Sequence, residues 1–124
     1  MHPALWTSVT GLDAQNYDLK IISNNLSNLS TTGYKKSRAQ FKDLFYTTAT
    51  QPGAQVDLNT QNPIGIMLGS GVKITGNQKI YEQGTLERTN NELDLAIKGN
   101  GFFEIMMPDG TVAFTRDGSF NLNE

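Results

Sequence analysis

"LWTSVTGLDAQNYDLKIISNNLSNL", residues 5–29, carries its apolar side chains at Leu5, Val9, Leu12, Leu19, Ile22, Leu26 and Leu29. Steps of three, four and seven residues put side chains on one face of a helix, whereas a strand would need alternation. The spacing predicts a helix over residues 4–29. In heptads, Leu5, Leu12, Leu19 and Leu26 hold one seam position and Val9, Asn16 and Ser23 the other, with Ile22 and Leu29 taking over near the end. The stripe is as narrow as a coiled-coil seam, and helices that cover a sheet of their own chain usually show a wider apolar face. At ~1.5 Å per residue the helix would approach 40 Å, longer than the small core the remaining sequence can lay beneath it. Part of the seam is therefore expected to be covered by other helices. A buried Asn at a seam position lowers stability but can set register and partner, which makes Asn16 a candidate for that role.

The helix runs into "NNLSNLSTTGYKK", residues 24–36, with more amide and hydroxyl groups than a cap requires. Such groups compete with helical hydrogen bonds. They make sense at an interface between chains, where polar groups lose water and Asn can both donate and accept. Asn25 and Asn28 are expected to work there. Gly33 stands where a left-handed residue often ends a helix, and Lys35, Lys36 and Arg38 follow near the negative end of the helix dipole.

Residues 34–46 offer Tyr34, Phe41, Leu44 and Phe45 for packing, with a period nearer to helix than to strand. From Thr47 to Gly71 the chain is rich in Thr, Gln, Asn, Gly and Pro, with turn signals at Pro52-Gly53 and Asn62-Pro63, and reads as a long loop or extended excursion. Beyond Gly71 the apolar period becomes two: Val72 and Ile74, then Leu93, Leu95 and Ile97, then Phe103, Ile105 and Met107, then Val112 and Phe114. These should be short antiparallel strands. Pro108-Asp109-Gly110 suits a hairpin, Asn90-Asn91, Gly99–Gly101 and Arg116–Gly118 mark further turns, and Ser119–Glu124 looks like another strand beginning. The fold class expected is α+β, with domains at 1–33 (helix), 34–71 (connecting segment) and 72–124 (β-rich).

Composition excludes much. Ten basic against twelve acidic side chains give a net charge of −2, too little for a field that attracts nucleic acid or an anionic membrane. The basic cluster Lys35, Lys36, Arg38 and Lys42 therefore reads as a solvated or partner-facing strip. With no cysteine there are no disulfides or thiolate metal sites, and with His2 as the one histidine no histidine triad or multi-histidine metal site forms within a chain. Gly99-Asn100-Gly101 is a tight turn rather than a phosphate loop, because Glu104 replaces the third glycine and no helix follows. Neither a secretory leader nor an 18-residue apolar run is present, so no membrane insertion is expected. No catalytic, cofactor-binding or metal-binding residues are assigned.

The residues that stand out also resemble a known family. Met-x-x-x-Leu at the start, Thr10-Gly11-Leu12-Asp13-Ala14-Gln15, Ser23-Asn24-Asn25-Leu26-Ser27-Asn28 and Thr31-Thr32-Gly33-Tyr34-Lys35-Lys36 are similar to the signature of bacterial flagellar rod and hook proteins. Phe41–Tyr46, Gln51-Pro52-Gly53-Ala54-Gln55, Gly99–Phe103, Pro108-Asp109-Gly110 and Phe114–Phe120 look most like its distal-rod members. The resemblance implies a non-enzymatic subunit polymerising helically into the drive shaft that crosses the periplasm, exported by the flagellar type III apparatus. Its partners would be other copies and other axial proteins, with no cofactor and no nucleic acid. It also implies an inner coiled-coil layer of terminal helices, an outer β domain, and a rod-specific role for residues 47–71. The interaction residues it points to are Leu5, Val9, Leu12, Asn16, Leu19, Ile22, Asn25, Leu26, Asn28, Leu29, Gln51, Pro52, Gly53 and Gln55. Members of the family are about twice this length, so the chain is expected to be an N-terminal part. The alternatives are a paralogous proximal-rod or hook subunit, or a small helix-plus-sheet binding module.

Overall fold

The fold is that of a computed structural model describing residues 2–53, 55–57, 60–61 and 64–123, with side chains placed for 2–53 and 64–123. Helix α1 spans Pro3–Ser27, within two residues of the expected bounds. Proline suits the first helical position, where its missing N–H leaves no bond unmade, and the carbonyl of His2 accepts from Leu5 N at 3.1 Å and Trp6 N at 3.4 Å. Within the helix Thr7, Ser8 and Ser27 return their hydroxyls to the carbonyls of Pro3, Ala4 and Ser23 at 2.8–2.9 Å, so these residues are satisfied without leaving the helix.

The remaining regular structure consists of short strands: β1 Ser37–Asp43, β2 Tyr46–Thr50, β3 Gln55–Asp57, β4 Thr60–Gln61, β5 Ile66–Gly69, β6 Val72–Lys79, β7 Phe103–Met106 and β8 Val112–Thr115. By their contacts the residues form two units, Met1–Ile21 with Arg38–Gln78 and Ile22–Ser37 with Lys79–Glu124.

In the first unit, β1 pairs with β6, β2 with β5 and β3 with β4. The pairs are nested, so the chain runs out along one strand of a two-stranded ribbon and back along the other. Residues 34–46 are not helical as their period suggested. The aromatic residues behind that reading belong to different pieces, and Ser37 and Ala39 are half-buried while Arg38 and Gln40 are exposed, the alternation of a strand. Nor is the Thr47–Gly71 segment simply a loop. Thr47 lies across from Leu68 and Thr48 from Met67, with an irregularity before Thr50 meets Ile66. Threonine and β-branched residues suit a pleated surface, and the partner strand Ile66–Gly69 supplies the ladder. The expected turn at Asn62-Pro63, and Ala54 with it, lie outside the described residues.

In the second unit, β7 and β8 form the expected hairpin, with Phe103 opposite Thr115 and Met106 opposite Val112. Its turn is closed by Met107 N to Thr111 O at 2.8 Å and Gly110 N to Met107 O at 2.9 Å, with Gly110 at φ 85°. Leu93–Ile97 is not a full strand: one bridge joins Asp94 to Ser119, and Leu95 N donates to Gly118 O at 3.0 Å. The strand suggested from Ser119 onward reduces to the same bridge. Gly118 allows this pairing, because a Cβ there would overlap the Leu95 carbonyl oxygen.

Candidate subunit-interaction surface

Among the described residues the buried apolar side chains are Ala14 and Ile21 alone. Both lie off the leucine seam. The half-buried positions of α1 include Thr7, Gly11, Asp18 and Asn25, and half-buried Asn28 follows just beyond its end; with Ala14 and Ile21 they make a second stripe of alternating three- and four-residue steps. This stripe trails the seam by two residues, Thr7 after Leu5, Ala14 after Leu12, Ile21 after Leu19, and two residues are ~200° around an α-helix. The covered face is therefore nearly opposite the apolar one, and apart from Ile21 it is built of small and polar residues. Leu5, Val9, Leu12, Leu19, Ile22, Leu26 and Leu29 are all exposed, Leu12 at 65% and Leu29 at 79%. Asn16, between Leu12 and Leu19 on the same seam, is exposed too.

A soluble helix normally turns its apolar stripe inward. Here 25 residues, about 37 Å of helix, do the reverse. Full burial of a Leu or Ile side chain stabilises by ~1.5–3 kcal/mol, so each seam residue leaves on the order of 1 kcal/mol unrealised until another surface covers it.

The ribbon shows the same deficit. Tyr46, Ile66, Met67 and Leu68 are exposed, and since neighbours along a strand point to opposite faces, both faces of the β2–β5 pair carry apolar side chains. Two strands alone are marginal in water. Sequence reading named Gln51, Pro52, Gly53 and Gln55 in this region. The first three are exposed, Pro52 lies against Gly65, and the Gln55 side chain falls outside the described residues. It missed Ile66–Leu68, whose apolar run beside a threonine-rich strand was the available signal.

The amide-rich helix end has a local explanation that the sequence did not disclose. Asn28 donates through Nδ2 to Asn24 O at 2.9 Å and to Asn24 Oδ1 at 3.0 Å, and its Oδ1 accepts from the Thr31 hydroxyl at 3.1 Å. Asn25 is a three-way hub. Its Nδ2 donates to Ser37 O at 2.8 Å, and its Oδ1 accepts from Ser37 N at 3.0 Å and the Tyr34 hydroxyl at 2.8 Å. One amide thus imitates a strand neighbour for Ser37. Gly33 (φ 70°) permits the return of the chain, in a turn closed by Tyr34 N to Thr31 O at 3.3 Å. It is the third residue of that turn rather than the cap directly after the helix. The lysines expected near the helix end meet Glu82 instead: Lys35 Nζ donates to Glu82 O at 2.8 Å and Lys36 pairs with its carboxylate at 3.3 Å.

Arg116 organises the second unit. Its guanidinium donates to the carbonyls of Ile97, Gly99 and Gly101 and to Gln83 Oε1, which also accepts from Gly99 N at 3.1 Å. Five donors in a rigid fork suit such a set of acceptors. With the cation so occupied, the hollow of about 250 Å³ bounded by Lys35, Tyr81, Phe102 and Arg116 offers no free charged group except the already bonded Lys35. Asp109 and Asp117 serve turns. The hydroxyl of Thr111, then its amide, lowers the pKa of Asp109, and Ser119 does the same for Asp117 by hydroxyl and then amide. Among the described residues no group of His, Asp and Glu could hold a metal ion, and no helix is long and apolar enough to cross a membrane.

Known proteins resemble this chain along its whole length. A family described as flagella basal body rod protein matches residues 5–35, covering the seam and the Asn25 hub. The D1 domain of the flagellar hook proteins FlgE/F/G matches residues 96–124, covering the Arg116 cage and the β7–β8 hairpin. The flagellar basal-body rod protein FlgG of Buchnera aphidicola from Schizaphis graminum is 51% identical over 124 residues, 100% of this chain and 48% of that protein. FlgG of Borreliella burgdorferi is 50% identical over 123 residues, 99% of this chain and 46% of that protein. The hook protein FlgE of Helicobacter pylori is 43% identical over 122 residues, 94% of this chain and 16% of that protein. The chain spans about half the length of the curated rod proteins it matches. Along its whole length the chain is thus similar to the N-terminal part of flagellar basal-body rod proteins, and it carries one signature described for the basal body rod proteins and one described for the hook proteins.

Proposed function

We propose that the chain serves as a structural subunit of the flagellar distal rod in the basal body, assembling helically with copies of itself and with other axial proteins. It catalyses no reaction, and it reaches the rod through the flagellar type III export apparatus. The observation that carries the reading is the outward leucine seam of α1, which offers a continuous apolar ridge about 37 Å long for helices of neighbouring molecules. Residues 47–71 add a second surface, through which neighbours hold the polymer straight.

The test is sedimentation velocity of the chain over a range of concentrations, beside Leu12→Asp/Leu19→Asp. Both leucines are exposed, so the substitution leaves the single chain folded, as circular dichroism would verify. The parent is expected to associate as concentration rises while the variant stays monomeric. Equal association of the two, or a parent monomeric throughout, would overturn the reading.

A further inference from the structure

Charge is unevenly distributed along this nearly neutral chain. The stem of the ribbon, residues 38–43 with 72–79, carries Arg38, Lys42, Lys73 and Lys79 against Asp43 alone, whereas residues 80–124 carry eight acidic and three basic side chains.

The register gathers three of the stem cations, Arg38, Lys42 and Lys73, on one face. Leu44 N donates to Gly71 O at 2.9 Å, and the Thr75 hydroxyl donates to Gln40 O at 3.0 Å. Stepping two residues along an antiparallel pair from Leu44–Gly71 sets Lys42 across from Lys73, and two further sets Gln40 across from Thr75. Arg38 joins that face, since Arg38 NH2 and Gln40 Nε2 both donate to Gln78 Oε1 at 3.0 Å. Val72 and Ile74 point to the opposite face, where they are half-buried, and Val72 N lies 3.4 Å from the Thr10 hydroxyl of α1. The basic face is the open one.

Two lysines directly opposite each other destabilise a ribbon by a few tenths to ~1 kcal/mol. Among the described residues the one ion pair is Lys36 with Glu82, so neither lysine is offset by a carboxylate. A face built this way gains from an anionic partner.

We propose that the basic face of the ribbon stem, Arg38, Lys42 and Lys73, docks on the acidic extended segment of a second copy of this chain, with Glu87 and Glu92 as its counter-charges. Residues 81–93 are exposed throughout and belong to no regular strand, so the stretch between Gly84 and Asn91 is accessible to a neighbour. Glu82 is held by Lys36, which leaves Glu87 and Glu92 as the available acids of that segment, against Arg88 as its one base. The inference rests on the reading of the chain as a polymer subunit and adds what the ribbon would meet there. Because each copy carries both faces, the contact can be repeated head-to-tail from copy to copy, as a polymer requires. Being electrostatic and exposed, it also weakens as salt rises and the screening length falls from ~10 Å at 0.1 M toward ~3 Å at 1 M.

The test mixes light and isotopically heavy copies of the whole chain, joins lysine to carboxylate with a zero-length carbodiimide, and reads mixed-label peptides by mass spectrometry. Links from Lys42 or Lys73 to Glu87 or Glu92 between differently labelled copies are expected. Lys42→Glu/Lys73→Glu should lower the association constant by about tenfold. Mixing it with Glu87→Lys/Glu92→Lys should restore association through the reversed pairs. Copies that associate through the leucine seam without these links, or an association indifferent to both reversals, would overturn the docking proposal and leave the subunit reading standing. A chain monomeric with or without the reversals would overturn both.

Discussion

Asn25→Ala probes the helix end most directly. The substitution removes three hydrogen bonds, at 2.8, 3.0 and 2.8 Å, and leaves Ser37 N and Ser37 O without partners at a half-buried position. At ~0.5–1.5 kcal/mol net for each bond the loss would be about 1.5–4.5 kcal/mol. Water reaches a part-buried site, so the lower end of that range applies. The readout is amide hydrogen exchange at Ser37, whose N–H is held by Asn25 Oδ1. A change of about 1.4 kcal/mol is tenfold in the opening equilibrium, so Ser37 should exchange at least about tenfold faster in Asn25→Ala. Tyr34→Phe removes one of the three bonds and should accelerate it by a smaller factor. A cycle of the two substitutions should show coupling, because both act through one oxygen. Exchange at Ser37 equal to that of the parent, in a variant whose helix content is unchanged, would refute the view that Asn25 joins the helix to the returning chain.

Gly33→Ala should destabilise the second unit by more than ~2 kcal/mol, since an alanine Cβ would stand 2.5 Å from Asp117 N and 2.7 Å from Arg116 C while φ stays near 70°; urea unfolding followed by near-ultraviolet dichroism of the aromatic residues measures it. Arg116→Lys keeps the charge and loses the fork, so exchange should speed up from Ile97 to Gly101 while the β7–β8 hairpin amides change little. The lowered pKa of Asp109 means the folded turn prefers the carboxylate, so its contribution is present above the unfolded pKa near 4 and is lost as pH falls through the lower folded value. Asp109→Ala should flatten that acid limb for Met107–Thr111, as an NMR titration of those amides would show.

The helix was legible because its seven seam residues are enough to define a period, and its bounds came within two residues of those observed. The β7–β8 hairpin was legible for the same reason, alternation on both sides of Pro108-Asp109-Gly110. Asn25 was singled out, yet its work inside the chain was not foreseen: the sequence shows an amide near a helix end but not that Ser37 returns beside it. Arg116 was noticed only as a member of a turn. Its cage draws on Gln83 and residues 97–101, which are 15 to 33 positions away and carry no local period.

The sequence left residues 47–71 open between a loop and an extended excursion, and the pairing of the ribbon was not legible in it. Propensity and turn signals describe what a segment does with its own neighbours, and judged that way Thr47–Gly71 is a loop or an extended excursion with no strand partner specified. Its strands exist because β1 and β6 hold the base of the ribbon and align β2 with β5, an instance of long-range pairing overriding local preference. Without a layer beneath it, such a ribbon reaches solvent with Tyr46, Ile66, Met67 and Leu68 uncovered. The helix arrives at the same condition from the other direction, with a strong local pattern whose apolar stripe is exposed. In both elements large apolar side chains are exposed, and under the proposed subunit function both surfaces would be covered by another molecule. A protein built to stand alone would have turned the seam inward, since on the order of 1 kcal/mol per leucine is available for doing so.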